Sequence, residues 1–295
     1  KEFDDAIDEA LLIAQKSRCH LHFSHFHVSG PDRQTRAGEY LERLEALEPS
    51  PTLDSYPYGH ACTFLTSLFP SRLQSLTYEN LQNVIQFDPG GLAEELADTG
   101  PEATISVGWD GLVVAGLSAK QEALNGLNLA EIGEQLGTGP ERAALHLVAS
   151  QEQSPMVLVP QGHLDNIRKI STSSIQVVGS DGIFGSGAPH PRLTGTFFRM
   201  LKEAMEGSVA LSAEEAIAKM TARPAKILGL KTGRISTGFP ADLLVIDPDR
   251  IDRGYDVAPT EPNAVIHAFI SGQQTIKNGV WQGRKLSGLA VRRSR

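Results

Sequence analysis

Val177–Val178–Gly179–Ser180–Asp181–Gly182, with His190–Pro191–Arg192 close behind it, is the stretch that decides the fold class. An apolar run that ends in one acidic residue and a glycine reads as a buried strand delivering a carboxylate to the mouth of a pocket. Asp181 is thereby a candidate functional carboxylate. Ser-Asp-Gly is also an ordinary turn after an ordinary strand, because Asp and Gly dominate turns for conformational reasons.

Upstream, the same kind of unit recurs. Glu2 to Arg18 carries Phe3, Ile7, Leu11, Leu12 and Ile13 among charged residues, as an amphipathic helix does. His20 to Val28 is predicted as a strand ending at Ser29–Gly30–Pro31, Gln34 to Leu47 as a helix, and Leu53 to Tyr58 as a short strand broken by Pro57. Strand, helix, strand in that order predicts a parallel sheet. From about 59 to 139 the rhythm is lost, and so long an excursion is a candidate lid or specificity insertion. Within it, Ala103 to Leu117 resembles two short strands around Asp110–Gly111.

A helix from Pro140 to Ala149, an apolar run Met156 to Val159 and a polar helix from Leu164 to Ile170 lead back to the opening stretch. Helices follow at Thr196–Met205 and Ala213–Met220, the second with Ser212 and Glu215 in capping-box spacing. Beyond Leu230, Arg234–Ser236, Ala241–Ile246, Ala264–Ile270, Gln274–Ile276 and Val280–Trp281 read as short strands of a small β unit.

Composition sets the outer bounds. Hydrophobic residues at 40% and charged residues at 21% are globular values, and no segment has the unbroken apolar length of a membrane span. A net charge of -8 without a concentrated basic face argues against nucleic-acid or membrane partners. The basic residues Arg284, Lys285, Arg292, Arg293 and Arg295 read as a solvated tail. Two cysteines, Cys19 and Cys62, exclude a disulfide framework and fit a cytoplasmic location. The chain opens at Lys1 in what reads as a helix, so it is expected to be part of a longer protein.

Residues with chemical potential gather at strand ends: His25 and His27 on one, Tyr56 and Tyr58 on the next, Asp181 on the last. The carboxyl ends of parallel strands line ligand sites, so these elements point to one pocket. His20, His22, His25 and His27 invite a zinc reading, since an i, i+2 pair shares one strand face. Partly buried, hydrogen-bonded histidines are the alternative.

Ser24–His25–Phe26–His27, Tyr56–Pro57–Tyr58 with Thr63, Gly179–Ser180–Asp181–Gly182, His190–Pro191–Arg192 and Gly195–Thr196–Phe197 resemble the N-acyl-D-amino-acid deacylase (D-aminoacylase) family of the amidohydrolase superfamily. Thr221 to Leu230 and Gly238 to Val245 resemble the segment by which that superfamily leaves its barrel and enters its β-sandwich. The resemblance implies an α/β fold: residues 1–230 as the C-terminal part of a metal-dependent (β/α)8 TIM-like barrel, and 231–295 as strands of a small β-sandwich. It implies His25 as a zinc ligand, Asp181 as the carboxylate that takes a proton from the attacking water, and Tyr56 and Arg192 as groups that hold the substrate carboxylate. One or two zinc ions are the implied cofactor, and a small-molecule N-acyl amino acid is the implied partner.

Two local departures follow from the resemblance. His27 stands where the family often has a carboxylate-binding Lys, and remains assigned to substrate binding with a weaker, pH-dependent charge. Cys62 replaces a small hydroxyl residue and is expected to act as a small buried hydrophobe. The family's first-strand His-x-His pair, its upstream Cys and its fifth-strand His have no counterpart in the chain. The expected complement is an N-terminal portion or an oligomer partner. The leading expectation is zinc-dependent hydrolysis of the linear amide of N-acyl-D-amino acids. The alternatives are a cyclic-amide hydrolase of dihydroorotase or hydantoinase type, or a noncatalytic truncated homologue or partner subunit.

Overall fold

The computed structural model describes residues 2–30, 32–101, 107–184, 190–251, 264–283 and 288. The strand expected from 103 lies partly, and the basic tail wholly, outside the described residues.

The chain is α/β, and the strands that carry the sequence candidates form a small parallel sheet. After α1 (Glu2–Ser17) come β1 (His22–Phe23), α2 (Ala37–Glu45) and β2 (Thr52–Ser55). β2 lies centrally, paired in parallel with β1 on one side and with a later strand, Gln176–Val178, on the other. Alternation along β2 sorts its two faces. Leu53 is fully buried against Ile7, Phe26, Tyr40, Leu41 and Leu44, under α1 and α2. Thr52 and Asp54 point to the opposite face with His20 and His22. The predicted strand from His20 to Val28 is much shorter because the chain turns at Ser24–His25, where Asp54 captures the backbone.

The excursion runs further than 139. β3 (His60–Phe64), α3 (Ser71–Gln74), α4 (Tyr78–Phe87), α5 (Pro89–Thr99), β4 (Val113–Ala115), α6 (Leu129–Leu136), α7 (Pro140–Ser150) and β5 (Met156–Pro160) build a separate layer. Its sheet has the order β3-β5-β4, with β5 antiparallel to both neighbours. Leu65, Phe69, Leu96, Trp109, Leu112, Leu129 and Leu147 fill its core. α7 and β5 therefore belong with this layer and not with the parallel sheet. The apolar run Met156–Val159 is buried throughout, and such a run reads alike in a parallel or an antiparallel sheet.

α8 (Leu164–Thr172) leads to β6 (Gln176–Val178), then α9 (Arg192–Met205), α10 (Ala213–Met220) and α11 (Ala222–Ile227). Buried Asn166 ties α8 back to the start of α2, accepting from the Ala37 amide at 3.1 Å and donating to the carbonyls of Val28 (2.9 Å) and Arg33 (2.7 Å). Half of the expected capping box forms: the Ser212 hydroxyl accepts from the Glu215 amide at 3.1 Å, while Glu215 turns to Arg223 at 2.6 Å. The last four strands, β7 (Leu243–Ile246), β8 (Val265–Ile270), β9 (Gln273–Lys277) and β10 (Val280–Trp281), form an antiparallel sheet. Arg234–Ser236 is not a strand. Among the described residues no helix is long and apolar enough to cross a membrane.

Lys219 on α10 is fully buried, and its ammonium donates to the Ser173 and Gln176 carbonyls and to Gln176 Oε1, the last at 3.0 Å. Burial, with Arg223 nearby, lowers its pKa from the usual lysine value to about 8. The unfolded chain holds that proton to higher pH than the folded one, so this residue makes stability rise between about pH 8 and about pH 10.5, by up to about 1.4 kcal/mol per pH unit. Denaturant titrations of the unmodified protein and Lys219→Met across that range should diverge by this slope. Parallel pH profiles would count against it.

Candidate active site

The turns that leave the carboxyl ends of the parallel strands, together with the start of α9, bring together four of the five residues expected from the sequence. α9 begins at Arg192, four residues earlier than the periodicity predicts, because His190 and Pro191 start it: His190 Nδ1 accepts from the Arg192 amide at 2.9 Å. His190 Nε2 donates to the His60 carbonyl at 3.0 Å, which fixes the tautomer and anchors the helix start to β3.

Arg192 thereby points inward at a helix N-terminus, where a cation is disfavoured by the backbone dipole. It is only 1% exposed and is answered by Asp181, whose Oδ2 lies 2.9 Å from Nη2. The same Nη2 donates to the Cys62 carbonyl at 3.1 Å. The Tyr56 ring covers the guanidinium at 4.7 Å, and the His27 ring packs on Tyr56 at 4.4 Å. Nε and Nη1 of Arg192 are buried and without a hydrogen-bond partner, as is His27 Nε2. A buried polar atom left unpaired costs on the order of 1–3 kcal/mol, so these three atoms carry unmet hydrogen-bonding capacity at the centre of the group.

Electrostatics separates the roles. Burial, then the nearby His25 and Arg192 charges, lowers the His27 pKa to about 4, so the imidazole is neutral near pH 7. It can hydrogen-bond a ligand there but brings no charge, unlike a lysine. Burial raises the Tyr56 phenol to about 12 and pushes the Cys62 thiol up as well. Cys62 packs with Ala115, Met156 and Leu158, as expected of a small hydrophobe.

Asp181 is different, with a side chain 40% exposed. Its φ of 46° and the φ of 40° at His25 put both residues in the left-handed region that non-glycine residues seldom occupy. Such backbone is held at a cost and clusters at functional sites. Gly179, two residues before Asp181, leaves room for the Asp54 side chain, since a Cβ there would lie 2.9 Å from Asp54 Oδ1. Asp54 is the residue that sequence reasoning missed. It lies half-buried on β2 between the buried Leu53 and Ser55, and only the fold shows how many groups it holds.

His25 is exposed, and its charge acts on the buried His27. His25 and Asp181 offer an imidazole and a carboxylate, both suited to zinc, which takes about four ligands. Among the described residues, no three or more His, Cys, Asp or Glu side chains come together to hold a metal. Taken by themselves, the described residues make no closed ligand set for zinc.

The model of the amidohydrolase family matches residues 130–280 of this chain. An N-acyl-D-glutamate deacylase from Alcaligenes xylosoxydans xylosoxydans is 29% identical over 279 residues, which cover 90% of this chain and 47% of that protein. An N-acyl-D-aspartate deacylase from the same organism is 30% identical over 285 residues, covering 95% and 48%. Among solved structures, D-aminoacylase superposes with a TM-score of 0.71 at 23% identity, over 96% of this chain and 52% of that one. N-acyl-D-glutamate deacylase from Bordetella bronchiseptica, complexed with zinc and a phosphonate inhibitor, does so with a TM-score of 0.70 at 23% identity, over 92% and 50%. The chain spans about half the length of the curated relatives it matches. A family model that spans just over half of the chain carries the assignment: the chain belongs to the amidohydrolase family.

Proposed function

We propose that the complete protein hydrolyses the linear amide bond of N-acyl-D-amino acids with a zinc-activated water, and that this chain contributes the substrate-carboxylate pocket and the proton-transfer carboxylate. The observation that carries the proposal is Arg192, buried beneath Tyr56 with Nε and Nη1 unpartnered, 2.9 Å from a half-exposed Asp181. A substrate α-carboxylate bonds to those orphaned N–H groups, since a charge-assisted bond to a guanidinium is among the strongest available. Nη2 is already committed to Asp181 and Cys62, so the carboxylate takes single bonds from Nε or Nη1 and not a two-pronged grip. His27, neutral, donates or accepts at Nε2, and the Tyr56 ring keeps water from the guanidinium.

Asp181, held in place by Arg192, accepts the proton of the attacking water and returns it to the leaving amine. Zinc, held in part by His25, would supply a water of lowered pKa and polarise the amide carbonyl. Its remaining ligands come from the half of the protein that the chain does not span. In this reading residues 1–230 are a sector of a (β/α)8 barrel interrupted by the excursion, and 231–295 are strands of a small β-sandwich. The protein works in the cytoplasm on a small-molecule substrate, with the missing N-terminal portion or an oligomer partner completing the barrel.

The test is a substrate panel on the complete protein. N-acetyl-D-amino acids, including those of glutamate and aspartate, should be hydrolysed, and the L-series, dihydroorotate and hydantoins should be poor substrates. Turnover of the cyclic amides in preference to the linear ones would replace this reading with the cyclic-amide one. Absence of any turnover by zinc-loaded protein would favour a noncatalytic subunit.

A further inference from the structure

On the face of the parallel sheet away from α1 and α2, a line of polar side chains climbs toward the mouth. His20 Nε2 lies 2.9 Å from Thr52 Oγ1, the same hydroxyl lies 2.7 Å from His22 Nδ1, and His22 Nε2 lies 2.9 Å from Asp54 Oδ2. The carboxylate end sets the direction of the whole line. Asp54 can only accept, so His22 Nε2 donates. With a neutral imidazole, Nδ1 then accepts a hydrogen bond from the Thr52 hydroxyl and His20 Nε2 donates to the Thr52 oxygen.

The upper end of the line is a clamp. Asp54 Oδ1 accepts from the His25 amide at 2.8 Å, Oδ2 accepts from the Ser24 hydroxyl at 3.1 Å, and the Asp54 carbonyl accepts from the Phe26 amide at 2.7 Å. Three consecutive residues of one turn are thus fastened to a single residue of β2. The middle one, His25, has the left-handed backbone. The neighbouring strand end is shaped around the same carboxylate, because a Cβ on Gly179 would meet Asp54 Oδ1 at 2.9 Å and Cγ at 3.1 Å. Oδ1 is the atom that holds the His25 amide.

We infer that Asp54 is the positioning residue for His25: its carboxylate holds the Ser24–His25–Phe26 turn in the one conformation that presents the His25 imidazole at the mouth of the site. The inference rests on the reading of His25 as a metal ligand given above. Asp54 touches neither substrate nor the reacting atoms. Partners that orient a ligating histidine are generally worth about 10- to 100-fold in metal affinity. Here the hold is on the backbone of the histidine and not on its ring, so an amide oxygen in the place of Oδ1 is enough to keep it.

The experiment titrates Co2+ into the complete, metal-stripped protein and follows affinity and the visible spectrum of the bound ion. Asp54→Ala should weaken Co2+ binding by about 10- to 100-fold and change the spectrum. Gly179→Ala, which displaces Oδ1, should move in the same direction. Asp54→Asn keeps an acceptor for the His25 amide and should stay within about threefold of the unmodified protein, a rescue that loss of fold does not produce. His25→Ala serves as the separate check on the metal reading. If His25→Ala weakens Co2+ binding and Asp54→Ala does not, the positioning role is wrong and the metal reading stands. If Asp54→Asn loses as much as Asp54→Ala, an acceptor for the His25 amide is not what holds the turn and the backbone clamp is refuted. Unchanged Co2+ binding in His25→Ala would overturn the metal reading and the positioning role with it.

Discussion

Arg192→Met in the complete protein is expected to lower kcat/KM for N-acyl-D-amino acids by about 100-fold or more, mostly through KM, while zinc content stays near that of the unmodified protein. A factor of 100 corresponds to about 2.7 kcal/mol, within the range for removing one partner of a buried charge-assisted contact. The fold should tolerate the change. Met is close to Arg in length, Arg192 leaves two buried donors unpartnered, and its ionic partner Asp181 keeps access to water. Steady-state kinetics with metal analysis on the same preparation separates the outcomes. Loss of zinc in parallel with loss of activity would mean that Arg192 supports the metal centre, and unchanged KM would remove it from the carboxylate pocket.

Asp181→Asn carries the other large effect. The amide retains the size of the side chain and its left-handed backbone, which Asn tolerates about as well as Asp. It cannot accept and return a proton. General acid–base groups contribute about 100- to 10,000-fold, so kcat should fall by that order with KM little changed. Arg192 remains buried with a neutral neighbour, and a modest loss of stability is expected. Near-normal hydrolysis by this variant, measured at zinc saturation, would remove Asp181 from proton transfer.

Much of this site was legible from the order of residues alone, for a physical reason. Strand ends in a parallel sheet gather at one edge, so polar residues that close separate apolar runs converge whatever the intervening chain does. Tyr56 and Asp181 close separate apolar runs and both meet the guanidinium of Arg192, as that rule requires, whereas Arg192 itself opens a helix and was singled out only by the family resemblance. The pairing of Asp181 with Arg192 was not legible, because it depends on α9 starting at Arg192 and turning a cation inward at the helix N-terminus. Nor was the neutral state of His27, which follows from burial beneath Tyr56.

β5 shows the limit on the fold side. Met156–Val159 is apolar on both faces, so its local pattern does not choose between the parallel sheet and the antiparallel layer of the excursion. That choice is made by its backbone bonds to β3 and β4. Asp54 shows the corresponding limit at the site. One acidic residue in a half-polar strand reads as solvent-facing, and its work becomes visible only when Ser24, His25 and Gly179 close around it.

The measurement closest to the central claim compares two substrates in two proteins. Unmodified protein and Arg192→Met are each assayed with an N-acetyl-D-amino acid and with the analogue in which the α-carboxylate is replaced by hydrogen. If the orphaned donors of Arg192 hold that carboxylate, Arg192→Met loses about 100-fold on the acid and less than about threefold on the analogue, and the unmodified protein itself discriminates between the two by a similar factor. Equal losses on both substrates would place Arg192 outside substrate recognition and contradict the account.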